Sequence, residues 1–175
     1  MGGIINIGIV AHADAGKTTL TERLLFEAGE LRTLGSVDGR DTQTDWMDIE
    51  RQRGISVKAS STRLFWRDCQ INLIDTPGHV DFAGEVQRSL SMLDAAVLVV
   101  SAAEGIQGQT EVLWDALEKL EVPTLLFINK LDRIGARPQE LLEELSGRFS
   151  PGIIEMERWE GAGGRDCRVF PLEPE

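Results

Sequence analysis

Cysteine is scarce in this chain. Cys69 and Cys167 are the two that occur; they lie far apart and have no metal-ligand spacing. That leaves no cysteine-built metal site and predicts reduced thiols in a cytosolic setting. An excess of positive charge is also missing. Eighteen Lys and Arg face 29 Asp and Glu, for a formal net charge of −11. Loose attachment to nucleic acid through bulk charge is therefore excluded, and any RNA contact needs a local patch. Arg51, Arg53, Lys58, Arg63 and Arg67 form one such stretch, although a solvated strand and loop explains it without a partner. No apolar run approaches the length of a membrane span. The N-terminus lacks a basic segment followed by an apolar core and a cleavage site. "MGGIIN" starts like a myristoylation signal but has Asn6 where Ser or Thr is required. Repeats and low-complexity segments are absent. These absences predict a cytoplasmic protein with no membrane partner.

What is present is an ordinary globular composition. The 175 residues are 42% hydrophobic and 27% charged, enough for one domain with a sizeable core. Residues 4–10 are an apolar, β-branched run and predict a buried strand. Residues 17–28 predict a helix with Leu20, Leu24 and Leu25 on one face. Residues 30–55 are polar and aperiodic, as functional or mobile segments are. "SVKASSTRLFW" and "CQINLID" predict two strands joined by a tight turn near Asp68. A helix over 82–92, a strand "AAVLVVSA", a helix over 109–120, a strand "PTLLFIN" and a helix over 138–147 follow. This order predicts an α/β fold: a mostly parallel sheet with one antiparallel strand and helices on both faces. From 150 the composition changes, and "IIEMERW", "GAGG" and "RDCRVFPLEPE" predict a hairpin with a loose turn.

Four short stretches carry chemistry. "AHADAGKTTL" (11–20) follows the first strand and opens the first helix. It departs by one residue, Ala11, from the phosphate-binding loop G-x-x-x-x-G-K-[ST]. Backbone N–H groups of residues 13–18 suit an anion at a helix N-terminus. Lys17 has the reach for β- and γ-phosphates and the Thr18 hydroxyl suits Mg²⁺. This loop makes Ala11, His12, Ala13, Asp14, Ala15, Gly16, Lys17, Thr18 and Thr19 candidate nucleotide contacts. "LIDTPGH" (73–79) puts Asp75 at a strand C-terminus, where a carboxylate can hold Mg²⁺ through water. Gly78 lets backbone approach a γ-phosphate, and His79 beside it is a candidate to orient the attacking water. "NKLD" (129–132) ends the strand "PTLLFIN". A carboxylate at Asp132 accepts paired hydrogen bonds from guanine N1–H and the 2-amino group, which adenine does not offer. Asn129 can tie the loops together, and the Lys130 stem can cover the ring. Ser56 in "RGIS" closes the long irregular segment. Its hydroxyl is a candidate Mg²⁺ ligand while a γ-phosphate is present, making 31–56 an order–disorder switch.

Together, "AHADAGKTTLTE", "ERQRGIS", "DTPGHVDF" and "INKLDR" resemble the GTP-binding domain of translational GTPases of the elongation factor G kind. The resemblance covers residues 4 to 149. "INIGIVAHADAGKTTLTERLL" and "LGSVDGRDTQTD" are most similar to tetracycline-resistance ribosomal protection proteins, while "TDWMDIE" also resembles elongation factor G and the GTPase release factor. The resemblance implies a P-loop GTPase fold, GTP and GDP with Mg²⁺ as cofactors, and ribosome-triggered hydrolysis. It also implies a monovalent cation near Asp14, and His79 held back by an apolar pair at Ala13 and Ile55. Ser56 stands where the family usually has Thr, and the family's Ser-Ala motif for the guanine O6 is not found. "SAAEG" (101–105) precedes "NKLD" and is too early to supply it. The expected organisation is a GTP-binding domain over 1–149, lacking that last motif, and the start of an insertion or a hairpin tail over 150–175. The chain is then an excised, monomeric piece of a longer parent. A phosphate-loop kinase would not need "NKLD", and a binding-only module would not need His79.

Overall fold

The computed structural model describes residues 3–31, 60–75 and 90–172, the side chains of Ser60, Ser61 and Asp75 excepted. Strand β1 spans Ile4–Ala11 and helix α1 spans Lys17–Glu27. Strands β2 (Ser60–Trp66) and β3 (Cys69–Asp75) are joined through Arg67 and Asp68. Arg67 takes the left-handed conformation (φ 53°) that so short a turn demands. Then come β4 (Ala95–Ser101), α2 (Gly108–Lys119), β5 (Thr124–Asn129) and α3 (Pro138–Arg148). Strands β6 (Glu157–Glu160) and β7 (Arg168–Pro171) follow.

Among the described residues the main sheet runs β2-β3-β1-β4-β5. β1 is parallel to β3 and β4, β4 is parallel to β5, and β2 alone is antiparallel. The period-2 alternation of strand side chains decides where each helix packs. Ile9 and Ala11 of β1 and Val99 of β4 meet Leu25 of α1 on one face. Val10, Leu98 and Val100 point the other way, onto Leu113 and Leu117 of α2 and Leu141 and Leu145 of α3. Central strands covered on both faces are apolar at every position, which explains "AAVLVVS". β5 is equally apolar yet only half-buried, with Leu125 48% exposed, because it is the edge of the described sheet.

The buried side of α1 differs from the expectation. Lys17, Thr21, Glu22 and Leu25 are buried and Leu24 is exposed. Positions 17, 21 and 25 follow one another at i, i+4, so Leu24 falls a quarter-turn off that line. β6 and β7 pair antiparallel in a separate two-stranded sheet. The helix expected over 82–92 and the segment 30–55 lie almost wholly outside the described residues; Leu90 is helical and fully buried.

Candidate nucleotide site

The parallel register brings the C-terminal ends of the central strands to one edge. Ile9 of β1 aligns with Asp75 of β3, Ala11 with Val99 of β4, and Ser101 of β4 with Asn129 of β5. The loops leaving that edge hold most of the candidate residues, and open parallel sheets bind ligands at this edge.

The first loop, residues 12–16, turns tightly between β1 and α1. Ala15 N–H donates to the His12 carbonyl (3.3 Å). Asp14 is left-handed (φ 61°) and exposed, as is usual for an Asp in such a turn. Gly16 is the N-cap of α1, at φ 100°. Gly16 has no side chain to cap the helix, so the N–H groups of Thr18 and Thr19 in the first turn face the loop without intrahelical acceptors. Ala11 and Ala15 are buried, Lys17 is 9% exposed, and Thr18 is half-buried. The Ala13 N–H is directed away from the cradle, to Gln109 Oε1 (3.3 Å) at the start of α2.

The His12 ring also turns toward α2 rather than into the loop. It is 5% exposed, with Nδ1 3.2 Å from Thr110 Oγ1 and Nε2 3.1 Å from Glu104 Oε2. A carboxylate accepts only, so Nε2–H donates to Glu104. Thr110 Oγ1 also accepts the Gln107 N–H (3.2 Å). Both ring nitrogens are thereby partnered.

The second loop follows β5. Asn129 Nδ2 donates to the Ala15 carbonyl (2.9 Å), joining it to the first loop across 114 residues of sequence. A Cβ on Gly16 would lie 2.2 Å from that same Nδ2, so the contact requires glycine at 16. Lys130 is left-handed (φ 60°) and its Nζ pairs with Glu104 Oε1 at 2.9 Å. Asp132 is exposed in the turn that follows. That turn is braced from behind: Gly163, in the turn between β6 and β7, donates its N–H to the Leu131 carbonyl (2.7 Å).

Glu104 thus receives both loops. Partial burial opposes its charge, but the hydrogen bonds from Lys130 and His12 and their charges outweigh it and hold the carboxyl below its ordinary value. It sits in the "SAAEG" turn after β4, where its N–H donates to Ser101 Oγ (3.3 Å). The sequence offered one signal for it, an acid just past the C-terminal end of a buried strand. Gln109 and Thr110 offered none, because what matters is which loop they face.

Among the described residues the structure brings together residues 11–19 and 129–132 at the sheet edge. The backbone of Asp75 lies at the same edge, two residues short of the end of β1 in register. Ser56, Gly78 and His79 lie outside the described residues. No group of three or more His, Cys, Asp or Glu able to hold a metal occurs among the described residues. A Mg²⁺ bound by one or two protein oxygens and by phosphates needs none, and the half-buried Thr18 hydroxyl at the helix start suits it. Also among the described residues, no helix is long and apolar enough to cross a membrane.

A glycine-turned strand–loop–helix, locked to the asparagine of a second loop at the same sheet edge, defines a P-loop nucleotide-binding domain. The chain belongs to the elongation factor Tu GTP binding domain family, whose profile matches residues 3–172. It is 50% identical over 169 residues to tetracycline resistance protein TetP of Clostridium perfringens, covering 97% of this chain and 26% of that protein. It is 50% identical over 146 residues to elongation factor G 2 of Borreliella burgdorferi, covering 83% of this chain and 22% of that protein. A crystal structure from Thermus thermophilus superposes with a TM-score of 0.85 at 31% identity, over 98% of this chain and 28% of that one. The chain thus spans about a quarter of the length of these relatives.

Proposed function

We propose that this domain binds GTP and hydrolyses it to GDP and phosphate in the service of a ribosome-associated factor of the tetracycline-resistance ribosomal protection type. The observation that carries the nucleotide assignment is the bond from Asn129 Nδ2 to the Ala15 carbonyl at 2.9 Å, made over a glycine with no room for a Cβ. It sets a base-reading loop and a phosphate loop at a fixed separation. In this reading the first-turn N–H groups of α1 and Lys17 hold the β- and γ-phosphates. Asp132 accepts from guanine N1–H and the 2-amino group, and the Lys130 stem covers the ring. Thr18, Ser56 and Asp75 would hold Mg²⁺, which would supply neutralisation of phosphate charge. Gly78 donates its N–H to the γ-phosphate and His79 orients the attacking water. A monovalent cation near Asp14 completes the phosphate side. The domain works as a monomer in the cytoplasm.

The choice of factor is supported by the 50% identity to TetP and the 53% identity to TetO of Campylobacter jejuni. The equal identity to elongation factor G 2 favours translocation as the second reading. A chimera tests the proposal: this chain replaces the matching segment of the Clostridium perfringens relative. Ribosome-stimulated phosphate release should persist, and His79→Ala should abolish it while leaving GDP affinity nearly unchanged. Intact GDP binding with no ribosomal stimulation would contradict the assignment. Restored growth in tetracycline separates the first reading from the second.

A further inference from the structure

We infer that Glu104 is a positioning residue that fixes the base-reading loop against the phosphate loop and so sets guanine selectivity. The inference rests on the nucleotide-binding reading above. Its ground is that one carboxylate is divided between the two loops. Oε2 takes His12 Nε2 at 3.1 Å and Oε1 takes Lys130 Nζ at 2.9 Å. His12 and Lys130 stand 118 residues apart, and each belongs to a separate candidate ligand loop.

Three further observations separate this from an ordinary surface ion pair. First, the His12 ring is 5% exposed, so removing Glu104 leaves a buried N–H without its acceptor. Second, Glu104 is held from both sides. Its N–H donates to Ser101 Oγ at 3.3 Å, and its carbonyl accepts from Gln107 Nε2 at 2.7 Å. Third, its turn is stitched to the base-reading loop by backbone, since Ala102 N–H donates to the Asn129 carbonyl (2.8 Å) and Arg137 N–H to the Ala102 carbonyl (2.9 Å). A carboxylate carried on backbone fixed this well defines a position. The left-handed backbone of Lys130, costly for a residue with a Cβ, is held by its side chain being anchored there. Asp132 is two residues further along, so the Lys130 anchor governs where the Asp132 carboxylate meets a base.

The test compares GDP with IDP, which lacks the 2-amino group and so loses half of the pairing with Asp132. Affinities of the 175-residue chain are measured by displacement of a fluorescent GDP. Glu104→Ala should weaken GDP about tenfold and IDP much less, so the GDP:IDP ratio shrinks. Glu104→Gln has one acceptor oxygen, keeps one of the two bonds, and should fall between. Lys130→Met should weaken GDP in the wild-type background and add nothing to Glu104→Ala. Mere destabilisation lowers the competent fraction, which scales both affinities by one factor and leaves the ratio unchanged. An unchanged ratio in both Glu104 variants, with GDP still preferred by the wild-type chain, overturns the positioning role alone. A wild-type chain that binds no GDP, or does not prefer it to IDP, overturns the nucleotide reading and this inference with it. Where Glu104→Ala does not fold, Glu104→Gln supplies the same ratio.

Discussion

The two loops of the site are built on opposite plans. The phosphate loop is small and inward: Ala11, Ala15 and Lys17 are buried, and Gly16 and the first turn of α1 present backbone to the ligand side. The base-reading loop is exposed and carried by side chains: Asp132 and Arg133 face solvent and Ile134 is 95% exposed. A backbone cradle is fixed by the fold that makes it, because its N–H directions follow from the helix start. An exposed loop has to be held from outside. Among the described residues it is held at Asn129 by Ala15 and Ala102, at Lys130 by Glu104, and at Leu131 by Gly163. Backbone recognition needs little support, whereas side-chain recognition needs a good deal.

The sharpest way to break the contrast is where the two loops touch. Gly16→Ala forces a Cβ to 2.2 Å from Asn129 Nδ2, at a φ of 100° that alanine resists. Strain and the lost tether together should weaken GDP on the order of a thousandfold, with the fold retained by circular dichroism. Titration calorimetry measures it, and a loss under about tenfold would mean that the loops are not interlocked in solution. Asp132→Asn comes next and strikes the base side alone. GDP should lose on the order of 2–4 kcal/mol, while xanthosine diphosphate, whose edge offers the reversed pattern, should gain.

These two sites differ in how far the sequence announced them. The strand–loop–helix at Gly16 was readable because its signal is local: Gly-Lys-Thr after an apolar run and before a helix leaves few alternatives. "NKLD" was readable by type and by its place after a strand. The succession of strands and helices along the chain also followed from apolar runs of the right length. The supports of the second loop were not readable. "SAAEG" was set aside as too early for a base contact, yet Glu104 within it joins both loops, and "GAGG" looked like a turn with no task. Long-range hydrogen bonds such as Gly163 to Leu131 have no periodicity or composition to betray them. α1 misled for another reason, since its ligand-facing start buries Lys17 and Thr21 where hydrophobicity alone favours Leu24.

Smaller effects refine the contrast. Gly163→Pro removes the N–H given to Leu131 and cannot adopt φ 86°. It should speed GDP release a few-fold in stopped-flow displacement while leaving inorganic-phosphate competition unchanged. An equal effect on both would mean that the tail supports the whole fold, not one loop. The smallest effect concerns acid. The Glu104 carboxyl is held below its ordinary value in the folded chain, so its contribution is fully present above the unfolded carboxylate pKa. That contribution is lost as pH falls through the folded one. The stability gap between wild type and Glu104→Gln in urea should therefore be present at neutral pH and close toward acid. A gap that widens toward acid would reverse the assigned charge state.

The central claim is that the two loops form one guanine-nucleotide site, and competition between GDP and ADP on the 175-residue chain tests it most directly. The phosphate loop sees the same diphosphate in both ligands, so any preference comes from the base-reading loop. The account predicts that GDP displaces a fluorescent GDP at least about a hundredfold better than ADP does. Equal displacement by the two would contradict it.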